Sequence, residues 1–261
     1  GLESKLPLLA ANIRAARAEA ELAVGPYLDA GLYYASLDQS AALVKAARAF
    51  ELGGDPERAR RAADRVVALA KHARTEEATA RAIRLHLVAG AATANDKLDA
   101  KWIALNAPDL PEAKEAEEFL NAHGGLILTQ QEWLIRARAL ASSRMSDEAL
   151  RSIERAVSGG GRPVAPVDFC HARAEAYFKA KTRYAEAAVT YARCAQQAAG
   201  DDALEDRFLE GRSLARADRD DEAIVVFQRL FDQHRTSRWA QEGLFQCGRL
   251  HFLRGRFEKA A

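Results

Sequence analysis

The sequence has little of what builds a compact reaction centre. It holds 3 cysteines, 1 methionine and 7% aromatic residues in 261 positions. No two cysteines form a Cys-x-x-Cys pair and no histidine lies at zinc-finger spacing, so a zinc module or dithiol centre is not written into the chain. Cys194 and Cys247 sit among apolar helix positions, and the cysteines read as buried small hydrophobes rather than as a disulfide or ligands. No apolar run approaches the roughly 20 residues of a membrane span. No signal peptide is visible either, and a start at Gly1-Leu2 without methionine fits an expression scar or a processed chain, either of which would leave the native targeting segment out. An excess of one charge sign is also lacking: 38 Lys and Arg stand against 37 Asp and Glu. That balance excludes the basic footprint of a nucleic-acid binder and a polybasic membrane patch.

What is abundant is helix-forming sequence. Ala, Leu, Glu and Arg dominate, and Gly and Pro gather at boundaries. Three blocks repeat: Asp147-Glu-Ala-Leu-Arg-Ser-Ile153, Tyr184-Ala-Glu-Ala-Ala-Val-Thr-Tyr191 and Asp221-Glu-Ala-Ile-Val-Val-Phe227, with Phe257-Glu-Lys-Ala260 starting a fourth. Their alanines, Ala149, Ala187, Ala223 and Ala260, recur at roughly 36 to 38 residues, the interval of a helix-turn-helix repeat. Small residues stand twelve positions earlier at Ala137, Gly211 and Gly248, whereas Glu175 departs from the pattern. Ala47 and Ala59 carry the same relationship earlier in the chain, and between them Asp55-Pro56-Glu57 restarts a helix as N-cap, first residue and first-turn acid. Small residues at both places let two helices cross closely.

In chain order the pattern predicts helices over 3–23, 27–35, 41–52, 56–72, 75–89, from 95 to the break at Ala107-Pro108, 111–120, 130–140, 147–157, 167–180, 184–199, 203–217, 221–234 and 238–254. Thr129-Gln-Gln-Glu132 reads as a capping box. Ser158 to Pro166, with its three glycines, reads as a flexible linker; no strand precedes it and no Gly-Lys-Ser/Thr follows, so it is not a phosphate loop. A division into 1–122 and 123–261 follows, with about five helix pairs. A helix begun at Arg256 and cut off suggests that the array continues beyond Ala261.

These pairs resemble tetratricopeptide repeats, and the expected fold is an all-α, right-handed superhelix of helix hairpins, an α-solenoid. A narrower resemblance rests on Lys101-Trp-Ile-Ala-Leu-Asn-Ala-Pro-Asp-Leu-Pro-Glu-Ala113, Leu128-Thr-Gln-Gln-Glu-Trp-Leu-Ile-Arg-Ala-Arg-Ala-Leu140, Asp147 to Glu154, and Phe227 to Phe252. This order resembles the superhelical, non-catalytic region of soluble lytic transglycosylases, and it also fits envelope repeat proteins of the outer-membrane assembly lipoprotein kind. The resemblance implies a periplasmic location and a lysozyme-like domain beyond the superhelix, whose single glutamate cleaves peptidoglycan. The chain has no Glu-Ser-x-Phe motif, so no catalytic residue is carried over. The implied role is a scaffold that positions substrate or a catalytic domain; the alternative is a standalone adaptor binding a protein partner in the envelope.

No reaction chemistry is visible in the residues themselves. Acidic pairs such as Glu76-Glu77, Glu117-Glu118, Asp201-Asp202 and Asp220-Asp221 mostly fall at helix starts, where they complement the macrodipole. His171 and Glu175 share a helix face at i, i+4, but two ligands do not make a metal site. No cofactor or metal is expected. The better candidate is a concave groove lined by the first helix of each pair, taking a protein partner or peptidoglycan. The repeat register places Leu134, Arg138, Phe208, Arg212, Phe245, Arg249 and Phe252 on it; arginine with aromatics is the composition of recognition patches. The competing reading makes the phenylalanines inter-repeat core and the arginines solvated stems lying over it.

Overall fold

A computed structural model describes residues 6–69 and 73–259. Residues 3–5 and His72, the expected ends of two helices, and the repeat alanine Ala260 lie outside the described residues. Among the described residues the fold is all-α, with no strand beyond one isolated bridge. The chain packs as two compact units, Gly1–Ile127 and Leu128–Ala261; where the sequence places the division after 122, the packing places it after Ile127.

The first unit holds α1 (Leu6–Val24), α2 (Tyr27–Ala35), α3 (Ser40–Leu52), α4 (Pro56–Leu69), α5 (Arg74–His86), α6 (Ala94–Asn106) and α7 (Glu112–Ala122). Short connections make successive helices neighbours, and the α3–α4 hairpin closes on alanine: Ala46, Ala47, Ala59 and Ala63 are all fully buried. Asp55 accepts from the backbone N–H of Arg58 at 3.0 Å, so the expected cap forms. α6 begins with a capping box, Thr93 with Asp96, that the sequence reading did not pick out. Charged groups lock the later helices. Arg74 grips Asp109 with two bonds of 2.6 and 2.8 Å. Asp99, 3% exposed, lies between Arg81 and Arg84. Burial holds its pKa above the ordinary carboxylate value, against the opposing pull of Arg84 and Arg81.

The second unit holds α8 (Gln130–Ser142), α9 (Ser146–Ser158), α10 (Pro166–Lys179), α11 (Tyr184–Gln197), α12 (Gly200–Arg216), α13 (Asp220–Gln233), α14 (Arg238–Leu253) and a terminal 3-10 turn, Phe257–Lys259. The pairs α8–α9, α10–α11 and α12–α13 are the expected hairpins, each extensively packed. Ala149, Ala187 and Ala223 are fully buried, as is Phe227 four residues after the last of them. In the α10–α11 pair the buried contact residue is Ala174, which joins Ala187, Tyr191 and Cys194 in one cluster. Glu175 is only partly buried; the register there slips by one residue, which keeps the carboxylate out of the helix crossing. Thr129 and Glu132 form the expected capping box.

Two expectations are corrected here. Cys170 on α10 and Cys194 on α11 form a disulfide, with Cα atoms 5.5 Å apart; they share the buried face where the two helices meet, so adjacency that no linear spacing reveals brings the thiols together. Among the described residues only Cys247 is a free, buried cysteine. The glycine-rich stretch after α9 is not a loose linker. Gln130 donates its backbone N–H to the carbonyl of Gly160 at 3.1 Å, and its side-chain oxygen accepts from Val164 N at 3.0 Å. The stretch is thereby fastened to the start of α8, and it satisfies a helix N-terminal N–H that would otherwise need another partner.

Candidate functional site

The site is built on α12 and α14, the first helices of successive pairs in the second unit. α12 carries Asp201 and Asp202 in its first turn and Arg216 in its last, an order that suits the helix dipole. Phe208 lies midway, 3% exposed. Ser237 caps α14 by accepting the backbone N–H of Trp239 at 3.2 Å. This fixes the entry of α14 and lays the indole against Phe208, ring centroids 5.4 Å apart, while the indole N–H donates to Asp201 at 3.2 Å. Phe227 of α13 closes the floor from behind, 5.8 Å from Phe208.

Arginines stand over these rings. The Arg212 guanidinium sits 5.7 Å from the ring centres of both Phe178 and Phe208. Arg216 lies 5.5 Å from Phe178 and 5.7 Å from Tyr184. Arg238 lies 4.1 Å from Trp239. Distances of this order favour a cation over an aromatic face. The result is a groove of about 1010 Å³ between α12 and α14, to which Arg249, Gln246 and Glu242 of α14 also contribute.

The sequence-predicted residues divide. Phe208, Arg212 and Arg249 come together in this groove. Phe245 and Phe252 are exposed on α14, 66% and 60% accessible, so they are not inter-repeat core, and they do not line this cavity. Arg138 is partly buried on α8, outside the groove. Leu134 is fully buried: it faces inward with Leu140 and cannot meet a ligand. The register argument missed Trp239, Arg216 and Arg238. For Arg238 and Trp239 the signal was the Ser237-Arg-Trp239 start of α14, where Ser237 caps the helix; Arg216 lies in the last turn of α12.

A second cleft, of about 480 Å³, shares α12 and has the opposite character, with Glu175, Asp202, Glu205 and Asp206 around Phe178 and Tyr191. His171 bonds to the buried Asp206 at 2.8 Å. That bond raises the His171 pKa against the opposing effect of burial, with Asp168 and Asp202 adding to it. Tyr191 is held protonated, its pKa pushed far up by burial. The His171–Asp206 pair ties α10 to α12. Among the described residues no three His, Cys, Asp or Glu side chains converge as metal ligands, and no helix is long and apolar enough to cross a membrane.

A tetratricopeptide repeat family model matches residues 41–71, the α3–α4 hairpin. No curated protein matches the chain. The crystal structure of the P58(IPK) TPR domain is similar at 11% identity, covering 95% of this chain and 90% of that one, with a TM-score of 0.26; at that score the fold rests on the helix pairing described above. Each unit is built of TPR-like helix hairpins.

Proposed function

We propose that the chain is a non-catalytic docking scaffold that binds a polypeptide partner through the α12–α14 groove. The observation that supports this reading is the groove itself, where stacked guanidiniums and aromatic rings share one accessible concavity between helices of successive repeats. Arginine, tryptophan and other aromatics are the residues that dominate binding hot spots, and rigid helices hold them in place without ordering costs on association. A photo-crosslinking residue placed at Gln246, inside the groove, tests the proposal against the same residue at the exposed Gln228 on α13. Polypeptide adducts from an envelope extract at Gln246 alone support docking; adducts at both positions, or at neither, overturn it.

The second reading is the scaffold region of a periplasmic lytic transglycosylase, holding peptidoglycan or orienting a catalytic domain. Its support is the sequence resemblance together with the Cys170–Cys194 disulfide, a bond that persists in oxidising compartments such as the periplasm. Co-sedimentation with purified sacculi tests it. Sedimentation abolished by Arg212→Glu/Arg249→Glu favours this reading, and failure of the unaltered chain to sediment removes glycan from the ligand classes.

A further inference from the structure

We propose that the cleft between α10 and α12 binds a linear aliphatic polyamine, at a site separate from the α12–α14 groove and independent of the docking reading. α10 supplies His171, Glu175 and Phe178 to this cleft, and α12 supplies Asp202, Asp206 and Leu209. Steps of three and four residues place each set on one helix face, so two stripes face each other across the opening. Glu205 joins from α12, and Tyr191 reaches the cleft from α11, which packs on both helices. The observation that points to a ligand is the Tyr191 hydroxyl. Tyr191 is 6% exposed, with its ring packed among Cys170, Ala174 and Cys194. The hydroxyl takes no hydrogen bond among the described residues, yet it is not sealed off as the Tyr34 hydroxyl is. It therefore opens into the cleft that Tyr191 lines. Leaving so deeply set a hydroxyl without a partner is costly; a ligand N–H supplies the partner.

The charge around that hydroxyl selects a cation. Four carboxylates line the cleft against Lys179 and His171, so at least two negative charges remain in excess even with His171 protonated. His171 holds one oxygen of Asp206 at 2.8 Å, and Lys179 lies 4.0 Å from Glu175. Asp202 and Glu205, lining the same cleft, form no ion pair among the described residues. The helix dipole accounts for Asp202 in the first turn of α12, but not for Glu205 beyond it. Among the described residues no three acids or histidines converge as metal ligands, so the carboxylates suit a cation with several separated charges. Asp202 and Asp206 stand one helical turn apart, about 6 Å, close to the interval that a tri- or tetramethylene spacer sets between ammonium groups. Phe178, Leu209 and the Tyr191 ring give the methylenes an apolar wall. Arg212 and Arg216 sit over the Phe178 ring but line the neighbouring groove, so Phe178 contributes apolar surface and not a cation-binding face. The cleft's volume of about 480 Å³ accommodates such a chain.

Isothermal titration calorimetry of the full chain with spermidine, a triamine with tri- and tetramethylene spacers, tests the proposal; butylamine and magnesium ion serve as references. Spermidine is expected to fill one saturable site at least about tenfold more tightly than either reference. Glu205→Gln should weaken it about tenfold, and Tyr191→Phe, which keeps the ring and removes only the hydroxyl, about threefold to tenfold. Glu154→Gln, at an exposed position on α9, should leave it unchanged. Circular dichroism confirms that each variant is folded. Absence of saturable binding, magnesium binding as tight as spermidine, or full affinity in both Tyr191→Phe and Glu205→Gln overturns the proposal. Equal loss in Glu154→Gln reduces the effect to general surface charge and overturns it as well. A Lys/Ala octapeptide that binds more tightly than spermidine and loses affinity in Glu205→Gln replaces the free polyamine with lysyl side chains, which also sinks the assignment. Adducts at Gln246 are untouched by any of these results, so the two proposals fail separately.

Discussion

Gly211 of α12 lies against the ring of Phe227 of α13 so closely that a Cβ built on it would stand 2.4 Å from Cε1. Phe227 also faces Gly243 of α14, where the corresponding distance is 3.2 Å. One fully buried ring thus fills the space left by two glycines on successive first helices. The same lock holds the first unit, where a Cβ on Gly31 would meet the Phe50 ring at 2.6 Å. In both units a missing side chain lets an aromatic key one helix to another.

This relationship reverses the ordinary effect of a substitution. Gly→Ala within a helix normally stabilises by about 0.5–1 kcal/mol. At Gly211 the ring has no room to yield, so Gly211→Ala should destabilise by about 1–3 kcal/mol through overpacking. Phe227→Leu, destabilising alone, should recover part of that loss when combined with it, giving a coupling above the roughly 0.5 kcal/mol of independent sites. Urea denaturation of the four proteins measures this. Stabilisation by Gly211→Ala, or strict additivity, would show that the contact is not tight.

His86 is a charged clamp in the first unit. Nδ1 faces Glu51 of α3 at 2.8 Å and Nε2 faces Glu115 of α7 at 2.9 Å, while Arg48 shares Glu51 at 2.6 Å. Both ring nitrogens meet acceptors, so only the imidazolium can donate to both. Burial alone lowers the His86 pKa, but the bonds to Glu115 and Glu51 outweigh it and hold it above the ordinary value. A raised folded pKa gives stabilisation that is complete below the unfolded value, about 6.5, and is lost as pH climbs through the folded one. Thermal unfolding should therefore decline more from pH 6 to 8.5 in the unaltered chain than in His86→Gln. Parallel pH profiles for the two proteins would refute the clamp.

The legibility of this fold followed sequence locality. Helix spans, the Asp55 and Thr129 caps and the buried alanines Ala149, Ala187 and Ala223 depend on neighbours within a turn or on a repeated interval, and the sequence displays both. The groove was half legible. Register found Phe208, Arg212 and Arg249 because all lie on first helices near the crossing. It misplaced Leu134, since one helical step separates the groove face from the core, and it missed Trp239, whose position depends on how α14 enters. Contacts between separate helices, such as Asp99 with Arg81 and Arg84 or His86 with Glu51 and Glu115, have no local signature. The α8 cap by Gly160 shows the same limit from the other side: glycine-rich composition describes a chain's freedom and not the bonds that remove it.

The Cys170–Cys194 bond gives the sharpest chemical test of the second unit. Its partners are separated by 24 positions and lie within one hairpin, whereas Cys247 is buried on α14 with its thiol pKa raised by burial. Without reductant, alkylation in denaturant should label Cys247 alone; after reduction all three thiols should react, with mass spectrometry reading the adducts. Closing a loop of this length removes conformational freedom from the unfolded chain worth about 3 kcal/mol. Cys170→Ser/Cys194→Ser should accordingly unfold at lower urea, and reductant should weaken the unaltered chain but not the variant. Labelling of three thiols in the protein purified from an oxidising compartment would exclude the bond and, with it, the structural support for a periplasmic scaffold.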